Sequence, residues 1–165
     1  MLLGTAGLSA LALAALVLTL VRTPADRLRA GTRAVVRVAS VAILVQAVHF
    51  GEELVTRFYQ RFPATLGLES WPPGFFVAFN VAWLAIWILS AAALRTGHRA
   101  AFFPLWFLAV ASMANGAAHP LLAVRAGGYF PGLLTSPVAG VAGLVLFQRL
   151  LAITEGAGKA TIPAS

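Results

Sequence analysis

Long runs of hydrophobic residues alternate along this chain with short segments that carry most of its arginines. Five such runs are present, at 1–21, 38–56, 72–94, 101–124 and from 133 or 137 to 151. A helix that crosses a bilayer needs about 20 mostly apolar residues, and the runs are close to that length. The pattern therefore predicts an all-α fold, a polytopic membrane protein built as a bundle of five transmembrane helices.

Composition agrees with this prediction, because 60% of the 165 residues are hydrophobic and only 10% are charged. Soluble domains commonly carry about 25% charged residues, so this surface needs membrane lipid as its partner. The net charge of +7 comes mainly from arginines that flank the hydrophobic runs, which is typical of topology signals and argues against nucleic acid. The sequence has no cysteine, which excludes disulfides and thiolate metal sites.

The basic residues also predict an orientation in the cell membrane. The first run lacks the basic leader of a secretory signal, so we expect it to remain as the first span. With the N-terminus outside and the C-terminus cytoplasmic, most basic residues face the cytoplasm, as the positive-inside rule requires. The cytoplasmic set is Arg22, Arg27, Arg29, Arg33, Arg37, Arg95, Arg99, Arg149 and Lys159, and the outer set is Arg57, Arg61 and Arg125.

Residues 1–153 are thus predicted to form a single five-span membrane domain, followed by a flexible cytoplasmic tail at 154–165. Small residues recur at four-residue spacing on the fifth run, in the pairs Ser136 with Gly140 and Ala139 with Gly143. This spacing predicts a face for close helix packing, which would also allow a homodimer.

A cluster of ionisable residues interrupts the second run. His49, Glu52 and Glu53 lie within five positions, and each would cost roughly 2.5–3.5 kcal/mol near the middle of a membrane. Such groups need partners inside the bundle. Two other hydrophobic runs contain polar residues that could be these partners: Asn80 in the third run, and Asn115 and His119 in the fourth run.

Helix geometry predicts that these groups meet. His49, counted from Arg57, lies about 12 Å below the outer edge of the membrane, and Asn80, counted from Pro72, lies at about the same depth. His119, counted from Arg125, lies about 9 Å below that edge. His49 shares a helix face with Gln46 and with either glutamate, and Asn115 shares one with His119. Because Glu52 and Glu53 point about 100° apart, only one of them can aim at the centre of the bundle.

The residue types favour a metal site. His49, His119, Glu52 and Glu53 are the predicted catalytic and metal-binding residues, a set that suits Zn, Fe or Mn with a position open for water. A bound divalent metal would keep the carboxylates ionised and could activate water to hydrolyse a lipid-like substrate. Further residues are expected to support the ligands or to contact the substrate: Gln46, Asn80, Asn115 and Tyr129.

Three other interpretations are open at this point. A neutral carboxylic acid and a neutral imidazole could isomerise or cyclise an isoprenoid or sterol-like substrate without metal. The cluster could instead bind or transport an ion or a small ligand, although the inner half of the bundle offers no polar relay. The polar groups could also serve only to hydrogen-bond the helices together.

The two short motifs His49-Phe-Gly-Glu52-Glu53 and Asn115-Gly-Ala-Ala-His119 resemble the H-x-x-E-E and N-x-x-x-H motifs of the HXXEE-motif family of small bacterial integral membrane proteins. The likeness covers roughly residues 38 to 150, and the stretch 129–132, Tyr-Phe-Pro-Gly, is similar to the family pattern as well. The resemblance implies a bacterial membrane protein and, as an expectation, a membrane enzyme, but it implies no particular reaction.

Overall fold

The computed structural model describes residues 2–23 and 31–155, with side chains described from residue 7 onward, and these ranges form an all-helical fold. A single turn of 3-10 helix, Arg99–Ala101, leads into the fifth of six α-helices. The helices are α1 (Leu2–Arg22), α2 (Thr32–Val55), α3 (Phe58–Thr65), α4 (Pro73–Arg95), α5 (Phe102–Arg125) and α6 (Ser136–Thr154). Arg27, Arg29, Lys159 and the predicted tail beyond residue 155 lie outside the described residues.

Four helices are long and apolar enough to cross a membrane: α2, α4, α5 with its 3-10 turn, and α6. The part of α1 whose side chains are described, Gly7–Arg22, is a shorter apolar helix, so the fifth span stays a prediction. Large apolar side chains point outward from the bundle, with Val124 80% and Leu20 75% exposed. Such exposure fits a surface whose solvent is hydrocarbon, and the protein has the character of a membrane protein.

Helix α5 lies at the centre of the bundle, where it contacts α1, α2, α4 and α6. Its first turns carry Phe102, Leu105, Trp106 and Leu108, all fully buried, because neighbouring helices enclose this end. Helix α2 packs against α4 and α6. This arrangement places the polar face of α2 beside the second half of α5 and the start of α6.

Helices α5 and α6 approach each other closely through glycines. A Cβ on Gly116 would lie 2.7 Å from the Cα of Gly140, and a Cβ on Gly143 would lie 2.7 Å from the carbonyl oxygen of Ala109. Only residues without a side chain allow this backbone contact. The small-residue face of α6 is therefore packed against α5 of the same chain.

The segment predicted as a loop between the second and third spans contains the short helix α3. The chain turns at Arg57, which has a left-handed φ of 60°, and a hydrogen bond from the Trp71 amide to the Tyr59 carbonyl closes the loop after α3. Helix α5 contains Pro120 and continues beyond it to Arg125.

Candidate functional site

Two imidazoles and a carboxylate from two helices meet beside the segment 126–135, which connects α5 to α6. Helix α2 supplies His49 and Glu53, and α5 supplies His119. The Oε1 atom of Glu53 lies 3.5 Å from Nε2 of His49 and 3.3 Å from Nε2 of His119. All three residues are buried, with exposed fractions of 0%, 6% and 2% for His49, Glu53 and His119. A buried group of this kind could hold a metal ion.

The proton on His119 is placed by the backbone. Its Nδ1 atom lies 2.6 Å from the carbonyl oxygen of Pro131, and a carbonyl oxygen can only accept a hydrogen bond. Nδ1 therefore carries a proton and donates it. In the neutral imidazole this leaves a lone pair on Nε2, the atom that faces Glu53.

The proton on His49 is placed by a longer chain of contacts. Its Nδ1 atom lies 2.7 Å from the hydroxyl oxygen of Thr135, and that hydroxyl donates its only proton to Oε2 of Glu52 at 2.6 Å. The Thr135 oxygen must then accept from His49, so Nδ1 of His49 also carries a proton. In their neutral forms, both imidazoles therefore direct an unprotonated Nε2 atom toward Glu53.

Two features of this arrangement fit a bound cation. Nε2 of His49 is buried and has no hydrogen-bond partner among the described residues, which is costly unless an unseen group satisfies it. In a tetrahedral site with ligand bonds of about 2.0–2.1 Å, neighbouring ligand atoms are about 3.3–3.4 Å apart. The two imidazole–carboxylate distances match this value. The group as a whole lies within 4.8 Å, which is wider than one tetrahedral edge.

Glu52 points away from this cluster, although the sequence offered it as an equal candidate. Its two oxygens accept four hydrogen bonds, from the Tyr129 hydroxyl, the Leu134 amide, and both the amide and the hydroxyl of Thr135. The carboxylate thereby binds the end of α2 to the start of α6. Of the two adjacent glutamates, Glu53 faces the imidazoles and Glu52 holds the connecting segment.

Gly132 brings the backbone of this segment against both imidazoles. It has a left-handed φ of +84°, and a Cβ at this position would lie 2.5 Å from two ring atoms of His119 and 2.9 Å from Cε1 of His49. No side chain fits there, and the conformation itself favours glycine. Gly132 therefore lets the segment close tightly over the two rings.

The three amide residues predicted from the sequence do not join the cluster directly. Gln46 on α2 reaches toward α5, where its Oε1 accepts a hydrogen bond of 3.4 Å from the Ser112 hydroxyl. The Asn80 amide donates to the Phe76 carbonyl one turn earlier on its own helix, at 2.9 Å. Asn115 is partly buried, and its side chain makes no hydrogen bond with the described part of the chain.

Aromatic rings cover the cluster on the side of α3. The Phe58 ring lies 5.4 Å from the imidazole of His119 and 6.1 Å from the rings of Phe76 and Phe130. The guanidinium carbon of Arg61 lies 5.6 Å from the centre of the Phe130 ring. The same guanidinium donates a hydrogen bond of 3.2 Å to the Tyr129 carbonyl. This cover keeps water from the imidazoles and leaves Tyr129 at the exposed edge of the site.

Sequence reasoning missed Thr135 and gave Pro131 and Gly132 no role in the site. A threonine and a proline carbonyl in a connecting segment give no signal of their own, since neither is costly in a membrane. The glycine after a proline could have indicated a left-handed turn, but not its contact with two histidines 83 and 13 positions earlier.

Comparison with known proteins adds no further constraint: no family model, no curated protein and no solved structure matches this chain.

Proposed function

We propose that this chain is an integral membrane enzyme that holds one divalent metal ion, Zn, Fe or Mn, between His49, Glu53 and His119, and that it hydrolyses a lipid-like substrate. The observation that carries the proposal is the convergence of the Nε2 atoms of two imidazoles, each held through Nδ1 by a hydrogen bond, on one buried carboxylate. Two histidines and one carboxylate are a frequent ligand set of catalytic metals, and three protein ligands leave a position for water or substrate.

Each residue has a defined task in this proposal. His49, Glu53 and His119 would bind the ion, while the Pro131 carbonyl keeps the imidazole of His119 in the tautomer that binding needs. When bound, the ion would supply Lewis-acid activation of water or of an ester or phosphoryl oxygen. The rings of Phe58 and Phe130 would exclude bulk water and give the site apolar surroundings that suit a lipid-like substrate.

The five-span topology belongs to the same proposal. Helix α1 has 21 residues in total, which is long enough to span, and its contact with α5 supports a place in the bundle. With the N-terminus outside, the site lies in the outer half of the cell membrane. Membership of the HXXEE-motif family belongs to this proposal as well. It is supported by the motif residues His49, Glu52, Glu53 and His119, because each makes a specific contact at the site.

The test is metal binding by purified protein. Detergent-solubilised protein, stripped of metal and dialysed against Zn²⁺, should bind one equivalent by elemental analysis, and His119→Ala and Glu53→Gln should each reduce this to a small fraction. His98→Ala is the matched histidine control, because His98 is exposed in the loop after α4. Equal zinc content in wild type and His119→Ala would contradict the proposal.

A second assay tests the reaction. Membranes containing wild-type protein should show a hydrolysed lipid species, detected by mass spectrometry of total lipid extracts, that His119→Ala membranes lack. Its formation should stop after metal removal and return with Zn²⁺, Fe²⁺ or Mn²⁺.

The metal-free alternative rests on the same geometry, because a proton shared by Glu53 Oε1 and the imidazoles would also satisfy the cluster. Full activity of metal-stripped protein, with an isomerised or cyclised product instead of a hydrolysed one, would favour that acid–base enzyme. Binding of an ion without any change of lipid would favour transport.

A further inference from the structure

We infer that Thr135, aligned by Glu52, is the positioning residue that prepares His49 for metal binding. The inference rests on the proposed function, because it assigns a task to two residues outside the ligand set. It concerns a contact that joins two distant parts of the chain: His49 in α2 and the residue that precedes α6.

The four hydrogen bonds to Glu52 determine which way the Thr135 hydroxyl points. Oε1 of Glu52 accepts from Tyr129 and from the Leu134 amide, and Oε2 accepts from the Thr135 amide and hydroxyl. A carboxylate with both oxygens engaged by donors has no proton to give. The hydroxyl of Thr135 is thus directed at Glu52, and its oxygen is left to accept from Nδ1 of His49.

This direction matters because His49 has two tautomers. Without the Thr135 acceptor, the proton can move to Nε2 and donate to the Glu53 carboxylate 3.5 Å away, which would occupy both atoms that a metal needs. His119 does not depend on this chain, since a backbone carbonyl fixes its proton. A change at Thr135 should therefore alter one imidazole and leave the other as it was.

The tautomer can be measured in metal-free protein. With ¹⁵N-labelled histidine, the three imidazoles give separate nitrogen signals, which His98→Ala and His119→Ala protein would assign. At a pH where the rings are neutral, wild-type His49 should carry its proton on Nδ1. Thr135→Val keeps the shape and removes the hydroxyl, and it should move a measurable fraction of the proton to Nε2. Thr135→Ser should restore the wild-type signals.

Zinc affinity provides the second readout. Loss of a group that orients a ligand typically lowers metal affinity about 10–100-fold, so Thr135→Val should bind Zn²⁺ that much more weakly, and Thr135→Ser should stay close to wild type. Glu52→Gln is the second variant if Thr135→Val does not fold. Its amide can donate to the Thr135 oxygen and turn the hydroxyl toward His49, so it should produce the same tautomer shift.

The outcomes separate this inference from the proposed function. If wild type binds Zn²⁺ while Thr135→Val and Glu52→Gln retain both the wild-type tautomer and the wild-type affinity, the positioning role is overturned and the metal site stands. If the tautomer depends on Thr135 but wild type binds no metal, the orienting contact is supported and the proposed function fails. A merely structural threonine would change thermal stability without changing the protonated nitrogen.

Discussion

At the scale of single residues, two adjacent glutamates have opposite tasks. Glu53 is buried between two imidazoles, whereas Glu52 accepts four hydrogen bonds from the segment before α6. The difference follows from the helix, which turns successive side chains by about 100°. Substitution of either glutamate should therefore affect metal binding, but only Glu53→Gln removes a ligand.

Gly132 should tolerate no side chain. We expect Gly132→Ala to lower zinc affinity at least tenfold, because its Cβ would overlap both imidazoles, and overpacking typically costs about 1–3 kcal/mol. Isothermal titration with Zn²⁺ measures this. Gly127→Ala is the matched control, since Gly127 has a similar φ of +68° but open space around its Cβ position. If both variants bind zinc like wild type, the contact of Gly132 with the histidines has no consequence.

Tyr129 should resist ionisation. Desolvation and the hydrogen bond to Glu52 raise the pKa of the Tyr129 phenol, because the phenolate would lose water and face a carboxylate. The stabilisation from this hydrogen bond is complete below the unfolded pKa and is lost as the pH rises through the higher folded pKa.

Absorbance at 295 nm, as the difference between wild type and Tyr129→Phe, isolates this phenol. Its midpoint should lie above the ordinary value of about 10. A midpoint at or below that value would mean that the phenol does not donate to Glu52 in solution.

At the scale of helices, glycine contacts set how closely α5 and α6 approach, and this approach places His119 beside the segment that holds Pro131 and Thr135. Gly116 and Gly140 meet backbone to backbone. Because α6 also contacts α2, the spacing of this pair influences the position of His49 as well.

Gly116→Ala should push the two helices apart. The added Cβ would lie 2.7 Å from the Cα of Gly140, and we expect a loss of about 1–3 kcal/mol in stability, read as a lower midpoint of thermal unfolding in detergent. Gly51→Ala is the matched control, because Gly51 lies inside α2 with open space around it and should be neutral or gain about 0.5–1 kcal/mol. Equal melting of Gly116→Ala and wild type would contradict the tight packing.

At the scale of the whole molecule, the distribution of arginines predicts the orientation of the bundle. Because the sequence contains no cysteine, single cysteines report sidedness without background. In intact cells a membrane-impermeant maleimide should label Ser70→Cys and Ala126→Cys from outside, and should reach Thr96→Cys only after permeabilisation. A cysteine introduced at the N-terminus, before residue 2, should be labelled from outside if α1 spans the membrane. The reverse pattern for the loops would invert the proposed topology.

The sequence alone determined the all-helical membrane character, since hydrophobic runs of this length have few other stable forms in water or lipid. It also indicated candidate site residues, His49, Glu52, Glu53 and His119, because ionisable groups are costly in hydrocarbon and need partners. It placed Asn80 at the level of His49, yet the Asn80 amide bonds to its own helix. The depth of a residue in the membrane can be counted from the sequence of its helix. The direction of its side chain depends on how the helices are rotated relative to one another.

Only the tertiary structure decided which glutamate faces the imidazoles and which atoms carry their protons. Those two facts depend on the segment 129–135, which is distant in sequence from α2 and has no charged residue to reveal its role. Its contacts are made by backbone carbonyl and amide groups, which occur in every segment of a chain, and by the hydroxyls of Tyr129 and Thr135. Their position beside His49 and Glu52 arises from the packing of α6 on α2 and α5, a long-range arrangement that no local pattern encodes.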